Sequence, residues 1–136
     1  MTGKWWIGTA VGAAALGVIA LVGGLIVRQE GGVRTLDESH KGAVVELAVG
    51  EQIVVELDGN ATTGYTWEVT AVDAAVLAPA GDVDYRSESD ADGAGGAFTF
   101  RFDAVARGET TVTLVYHRSW EDAAPVDVFT FTAVVD

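Results

Sequence analysis

The chain contains no cysteine, only two histidines, and eight Lys/Arg against twenty Asp/Glu in 136 residues. Without cysteine there is neither a disulfide framework nor a lipid-modified N-terminal cysteine. The shortage of positive charge is sharpest after the first quarter of the chain. From Asp37 onward five Lys/Arg stand against nineteen Asp/Glu, a formal charge of −14. Such a surface repels phosphate, which argues against nucleic acid and anionic lipid as partners. Its simplest role is solubility.

Charge of either sign is missing from residues 5–27, "WWIGTAVGAAALGVIALVGGLIV". As a helix rising roughly 1.5 Å per residue, this stretch reaches about 34 Å, enough to cross a hydrocarbon layer of about 30 Å. Lys4 precedes it, Arg28 closes it, and Trp5 and Trp6 suit the membrane interface. It exceeds the ~7–15 residues of a signal-peptide core, and no small-x-small site follows it before Arg28. The expectation is an uncleaved signal-anchor helix within residues 1–28, one pass through the cell membrane with the C-terminal domain outside. Cleavage would make the protein secreted instead. Residues 29–41, "QEGGVRTLDESHK", read as a polar linker without periodicity. Residues 42–136 have the length of one domain.

Within that domain the pattern is strand-like. "AVVELAV" (43–49) and "QIVVELD" (52–58) are β-branched runs separated by a turn at Gly50-Glu51. In "YTWEV" (65–69), Tyr65, Trp67 and Val69 alternate with polar residues. "AFTFRFDAV" (97–105) places Phe98, Phe100 and Phe102 on one face. "TTVTLVYHR" (110–118) turns Val112, Leu114 and Tyr116 inward, and "VDVFTFTAVV" (126–135) ends the chain. Period-two alternation with one polar face predicts antiparallel sheets packed on one side. "AVDAAVLAP" (71–79) reads as a helical turn or loose connection. About seven short strands predict an all-β sandwich of immunoglobulin-like size, with Trp67 as its buried tryptophan.

Catalytic chemistry is thin. His40 lies in the linker, and His117 stands at a strand end beside Ser119 and Asp122. Sequence neighbours at a strand end do not make the relay of a catalytic triad, whose base is oriented by a buried third group. Glu88, Asp90 and Asp92 alternate carboxylates but lack the distal glutamate of a calcium loop, so they read as a solvated connection. The chain is expected to be no enzyme and to hold no metal or cofactor.

Three loops remain. "GNATTGYTW" (59–67) holds no acid, base or strong nucleophile. Gly64 can take a positive φ, while Thr62 and Thr63 are stiff and their hydroxyls can bond nearby backbone, so the loop should be ordered. Gly93, Gly95 and Gly96 form a bare connection. "YHRSWED" (116–122) sets Trp120 beside Arg118, the composition of a binding hot spot.

Together, Asn60-Ala61-Thr62-Thr63-Gly64-Tyr65-Thr66-Trp67, Gly93-Ala94-Gly95-Gly96 and Arg118-Ser119-Trp120-Glu121 resemble the chagasin family of cysteine-peptidase inhibitors. That family's pattern is Asn-Pro-Thr-Thr-Gly-Tyr/Phe-x-Trp, Gly-x-Gly-Gly and Arg-Pro-Trp-Glu, and the likeness covers residues 42–136. The resemblance implies an immunoglobulin-like sandwich with three loops at one end. Asn60, Ala61, Thr62, Thr63, Gly64 and Tyr65 would then enter the cleft of a papain-like peptidase, near its catalytic cysteine. Gly93, Gly95 and Gly96 would flank the cleft on one side, Arg118 and Trp120 on the other. The block would be reversible and non-covalent, since a rigid loop can fill a cleft while keeping its backbone out of attack geometry. Ala61 and Ser119 stand where the family has proline, which removes a fixed φ from each loop. The soluble part is expected to be monomeric. The rival reading is a membrane-anchored immunoglobulin-like module for adhesion or assembly, without inhibitory activity.

Overall fold

Alternation builds the structure as expected. The computed structural model describes residues 32–89 and 95–136, with the backbone of residues 26–27. Ten strands run through them: β1 (Ile26–Val27), β2 (Val33–Leu36), β3 (Ala43–Leu47), β4 (Gln52–Gly59), β5 (Thr66–Ala71), β6 (Leu77–Pro79), β7 (Asp84–Ser87), β8 (Gly96–Ala104), β9 (Gly108–His117) and β10 (Asp127–Val135). One sheet has the order β1-β3-β10-β9-β5; the other is β2-β4-β8-β6, with β7 also paired to β8. Phe98, Phe100 and Phe102 of β8 all point into the space between the sheets, while Arg101 stays outside. Phe102 meets Phe131 of the facing sheet edge-on, 5.9 Å between centroids, a favoured aromatic geometry. Trp67 is 4% exposed, and its indole N–H donates to the Asp58 carbonyl at 3.0 Å.

Several expectations change. The described residues form ten strands, not about seven, and the sheets are mixed. β3 runs parallel to β10, β1 parallel to β3, and β2 parallel to β4. The neighbouring runs β3 and β4 do not form a hairpin; their connection carries the chain from one sheet to the other. Both runs are buried on the face that meets the opposite sheet, so they pack across the core.

Val33–Leu36, expected within a polar linker, is a strand whose Arg34 and Leu36 are buried. Arg34 Nη1 donates to Glu51 Oε1 at 2.8 Å, so the buried guanidinium keeps a charged partner at the edge of the core. Of the apolar stretch 5–27, residues 26–27 pair as β1; residues 5–25 lie outside the described residues. Among the described residues no helix is long and apolar enough to cross a membrane. Of residues 71–79, expected as a helical turn or loose connection, only 72–76 form a turn, in which the Asp73 carbonyl accepts from the Val76 and Leu77 amides and its carboxylate from Ala75. The turn leads into β6.

Register then gathers three connections. Gly59, at the end of β4, lies opposite Gly96, the first residue of β8. Ser87, the last residue of β7, also faces Gly96. Thr66 opens β5 opposite His117, which ends β9, and Tyr116 faces Asp127 at the start of β10. Connections 60–65, 88–95 and 118–126 therefore leave the same end of the sandwich.

Candidate functional site

The first connection is ordered by its own side chains. Asn60 is extended (φ −132°, ψ 96°), and its carbonyl side chain accepts from the Thr62 amide at 3.1 Å and from the Thr62 hydroxyl. This caps a single 3₁₀ turn, Ala61–Thr63, as small polar caps do at helix starts. The Thr63 hydroxyl donates to the Asn60 carbonyl at 2.8 Å, and the Gly64 amide to Ala61 at 3.1 Å. Gly64 has φ +85°, the left-handed region where a Cβ is costly. Thr62 and Thr63 stand exposed at the tip.

Aromatic rings connect this loop to the core. Trp67 lies 5.2 Å from Tyr116, and Tyr116 stacks on Tyr65 at 5.3 Å. The Arg118 guanidinium caps Tyr65 at 4.5 Å from the ring centre, a cation–π contact. Its Nε donates to the Thr63 carbonyl at 3.1 Å, and its Nη1 reaches Glu121 at 3.4 Å. The Asn60 amide donates to the Tyr116 hydroxyl at 2.8 Å. A stack thus runs from the buried Trp67 to an arginine that grips the loop tip, while Tyr116 holds the loop where it begins.

Trp120 is 69% exposed, yet the inner edge of its ring rests on Gly64. A Cβ on Gly64 would lie 2.3 Å from the Trp120 ring, so the glycine provides both the turn and the seat for the indole. On the other flank, the Glu88 amide donates to the Gly95 carbonyl at 2.9 Å. Gly95 is half-buried and Gly96 is buried inside β8. Gly93 lies outside the described residues.

His117 Nε2 pairs with Glu68 Oε1 across the sheet at 2.7 Å, not with Ser119 or Asp122. His40 Nδ1 accepts from the Asp37 amide. Beside the first loop the field is negative. Glu38 raises the Asp58 carboxyl above its ordinary range, with burial, Glu88 and Asp37 adding to it. Three contributors were not among the expected site residues: Gly59, Tyr85 and Tyr116. Their only signal is position, small or aromatic residues at strand ends beside the loops.

The sequence signature of the chagasin family peptidase inhibitor I42 matches residues 46–135. The chain belongs to the chagasin family of peptidase inhibitors. Amoebiasin-1 of Entamoeba histolytica is 30% identical over 99 residues, covering 71% of this chain and 93% of that protein. Chagasin of Trypanosoma cruzi is 30% identical over 95 residues, covering 61% and 79%. The fold is that of the cysteine protease inhibitor EhICP2 from Entamoeba histolytica, with a TM-score of 0.69, 21% identity, and coverage of 76% of this chain and 96% of that one. Membership places this chain among protease inhibitors, not among enzymes.

Proposed function

We propose that this chain inhibits papain-like cysteine peptidases reversibly and without covalent chemistry, by seating its three loops across the active-site cleft. Asn60, Ala61, Thr62, Thr63, Gly64 and Tyr65 make the central insertion, with Arg118 and Trp120 on one side and the glycine connection on the other. The observation that carries this reading is the Thr63–Arg118 contact. It joins two motif loops, and holds in place a tip that carries no carboxylate, imidazole or thiol. A loop already ordered by Asn60 and Arg118 loses little entropy on docking. Such a loop can occupy a cleft without offering its backbone for attack.

Titrating the full-length chain into papain is the test. Activity falls with added protein and returns on dilution; no inhibition at micromolar concentrations overturns the target. Trp120→Ala sharpens the test, because the side chain is 69% exposed. Its stability stays within about 0.5 kcal/mol of the parent. Its inhibition weakens by about 2 kcal/mol, the scale of an interface hot spot.

We also propose that residues 5–25 anchor a monomeric inhibitor domain in the cell membrane, facing outward. At about 1.5 Å per residue, that stretch still reaches about 31 Å as a helix. Protease added to intact cells should release the domain; protection until the membrane is broken reverses the orientation.

A further inference from the structure

We infer that Tyr85 and Tyr116 are positioning residues which set the first loop by capturing its two leading amides. The Asn60 amide donates to the Tyr116 hydroxyl at 2.8 Å, and the next amide, Ala61, to the Tyr85 hydroxyl at 3.4 Å. The two tyrosines come from opposite flanks. Tyr85 sits in β7, below the second connection, and Tyr116 in β9, below the third. Two hydroxyls thus make the start of the first loop answer to both of its neighbours.

Their reach depends on two glycines. Gly59 and Gly96 are cross-strand partners. A Cβ on Gly59 would lie 2.7 Å from Phe98 and 3.0 Å from Tyr116. One on Gly96 would lie 2.7 Å from the Tyr85 hydroxyl and 2.3 Å from the Arg86 carbonyl. The bare strip between these strands therefore admits both rings. Each ring is then fixed by a neighbour, Tyr116 between Tyr65 and Trp67, and Tyr85 against Phe98 at 4.6 Å.

The arrangement gives position 61 a meaning that its sequence alone did not carry. A proline there would fix φ but has no N–H to donate. Its ring would instead point at the hydroxyl that the Ala61 amide now reaches. Alanine with Tyr85 is a hydrogen-bonded solution to the same task, holding the loop's first turn. Asn60 is extended, the conformation that a following proline tolerates, so exchange between the two solutions can be made experimentally.

The consequence for binding rests on the peptidase-inhibitor reading; the consequence for loop order does not. The experiment compares the full-length chain with Tyr85→Phe, Ala61→Pro and the double variant. Backbone order parameters of the amides of residues 62–64 are measured, together with papain inhibition. Tyr85→Phe should lower those order parameters, leave the strand amides unchanged, and weaken inhibition about three- to tenfold, the scale of one hydrogen bond. Adding Ala61→Pro to Tyr85→Phe should restore both readouts. Unchanged order parameters in Tyr85→Phe overturn the proposal, as does a double variant no more ordered than Tyr85→Phe alone. Lowered order in a chain whose parent fails to inhibit papain supports the positioning role and overturns the target.

Discussion

The two ends of the sandwich are closed in different ways. Opposite the loops, the connections are tied by backbone to backbone. Gly50 donates to Ala104, Ala104 to Glu51, Val105 to Val76 and Asp136 to Leu47, all between 2.9 and 3.0 Å. The Glu51 carboxylate adds Arg34 and the Ala48 amide. At the loop end, side chains hold backbone: Asn60, Tyr85, Tyr116 and Arg118 each take an amide or carbonyl of the first loop. Backbone closure keeps a turn flush with its sheet. Side-chain closure lets a loop lie beyond the strand ends and still be ordered, which the proposed insertion into a cleft would require.

The largest effect should come from the backbone-closed end. Arg34→Ala removes the buried guanidinium and its hydrogen bond to the half-buried Glu51 carboxylate, a charged hydrogen bond worth about 2–3 kcal/mol. Urea unfolding should show this loss, while the folded variant keeps its papain inhibition. Lost inhibition at full folding would mean that the two ends are not separate.

A glycine pair comes next. Gly50 and Gly64 both have positive φ, +95° and +85°, but nothing lies within 4 Å of a Cβ on Gly50. Gly50→Ala should cost only the left-handed strain, about 1–2 kcal/mol, with inhibition unchanged. Gly64→Ala carries the same strain and also displaces Trp120, so its inhibition should fall at least tenfold further than that of Gly50→Ala. Equal effects on inhibition would remove the distinction between the ends.

The smallest effect concerns charge beside the first loop. Asp58 has a raised folded pKa, so the folded state holds its proton more tightly than the unfolded chain does. Stability is therefore lost as pH rises through the carboxylate range, and the penalty persists at neutral pH. Asp58→Asn should raise Tm slightly at pH 7, with the gain shrinking toward pH 4 and in high salt. A gain that grows on acidification contradicts the assignment.

Much of this fold is legible in the chain. Phe98, Phe100 and Phe102 announce their strand by period alone, and Trp67 by its place in an alternating run. The loop residues are legible through their motif, and Gly64 through the left-handed turn that it alone accommodates. Pairing is another matter. β3 and β4 are adjacent in sequence, but β3 pairs with β1 and β10 and β4 with β2 and β8, since both present a buried face to the other sheet. Val33–Leu36 is hidden because Arg34 counts as polar, and its burial rests on a charged contact with Glu51, 17 positions away.

Local sequence therefore determined the long alternating strands, their inward faces, the acidic surface and the motif loops, because backbone sterics and side-chain periodicity act over a few residues. Tertiary structure alone decided the parallel pairings, the Arg34–Glu51 pair, and the meeting of Tyr85, Tyr116 and Arg118 around the first loop. Those contacts join residues 17, 24, 55 and 56 positions apart. Hydrogen bonds and ring stacking act over a few ångströms, and only the packed sheets bring such distant positions that close.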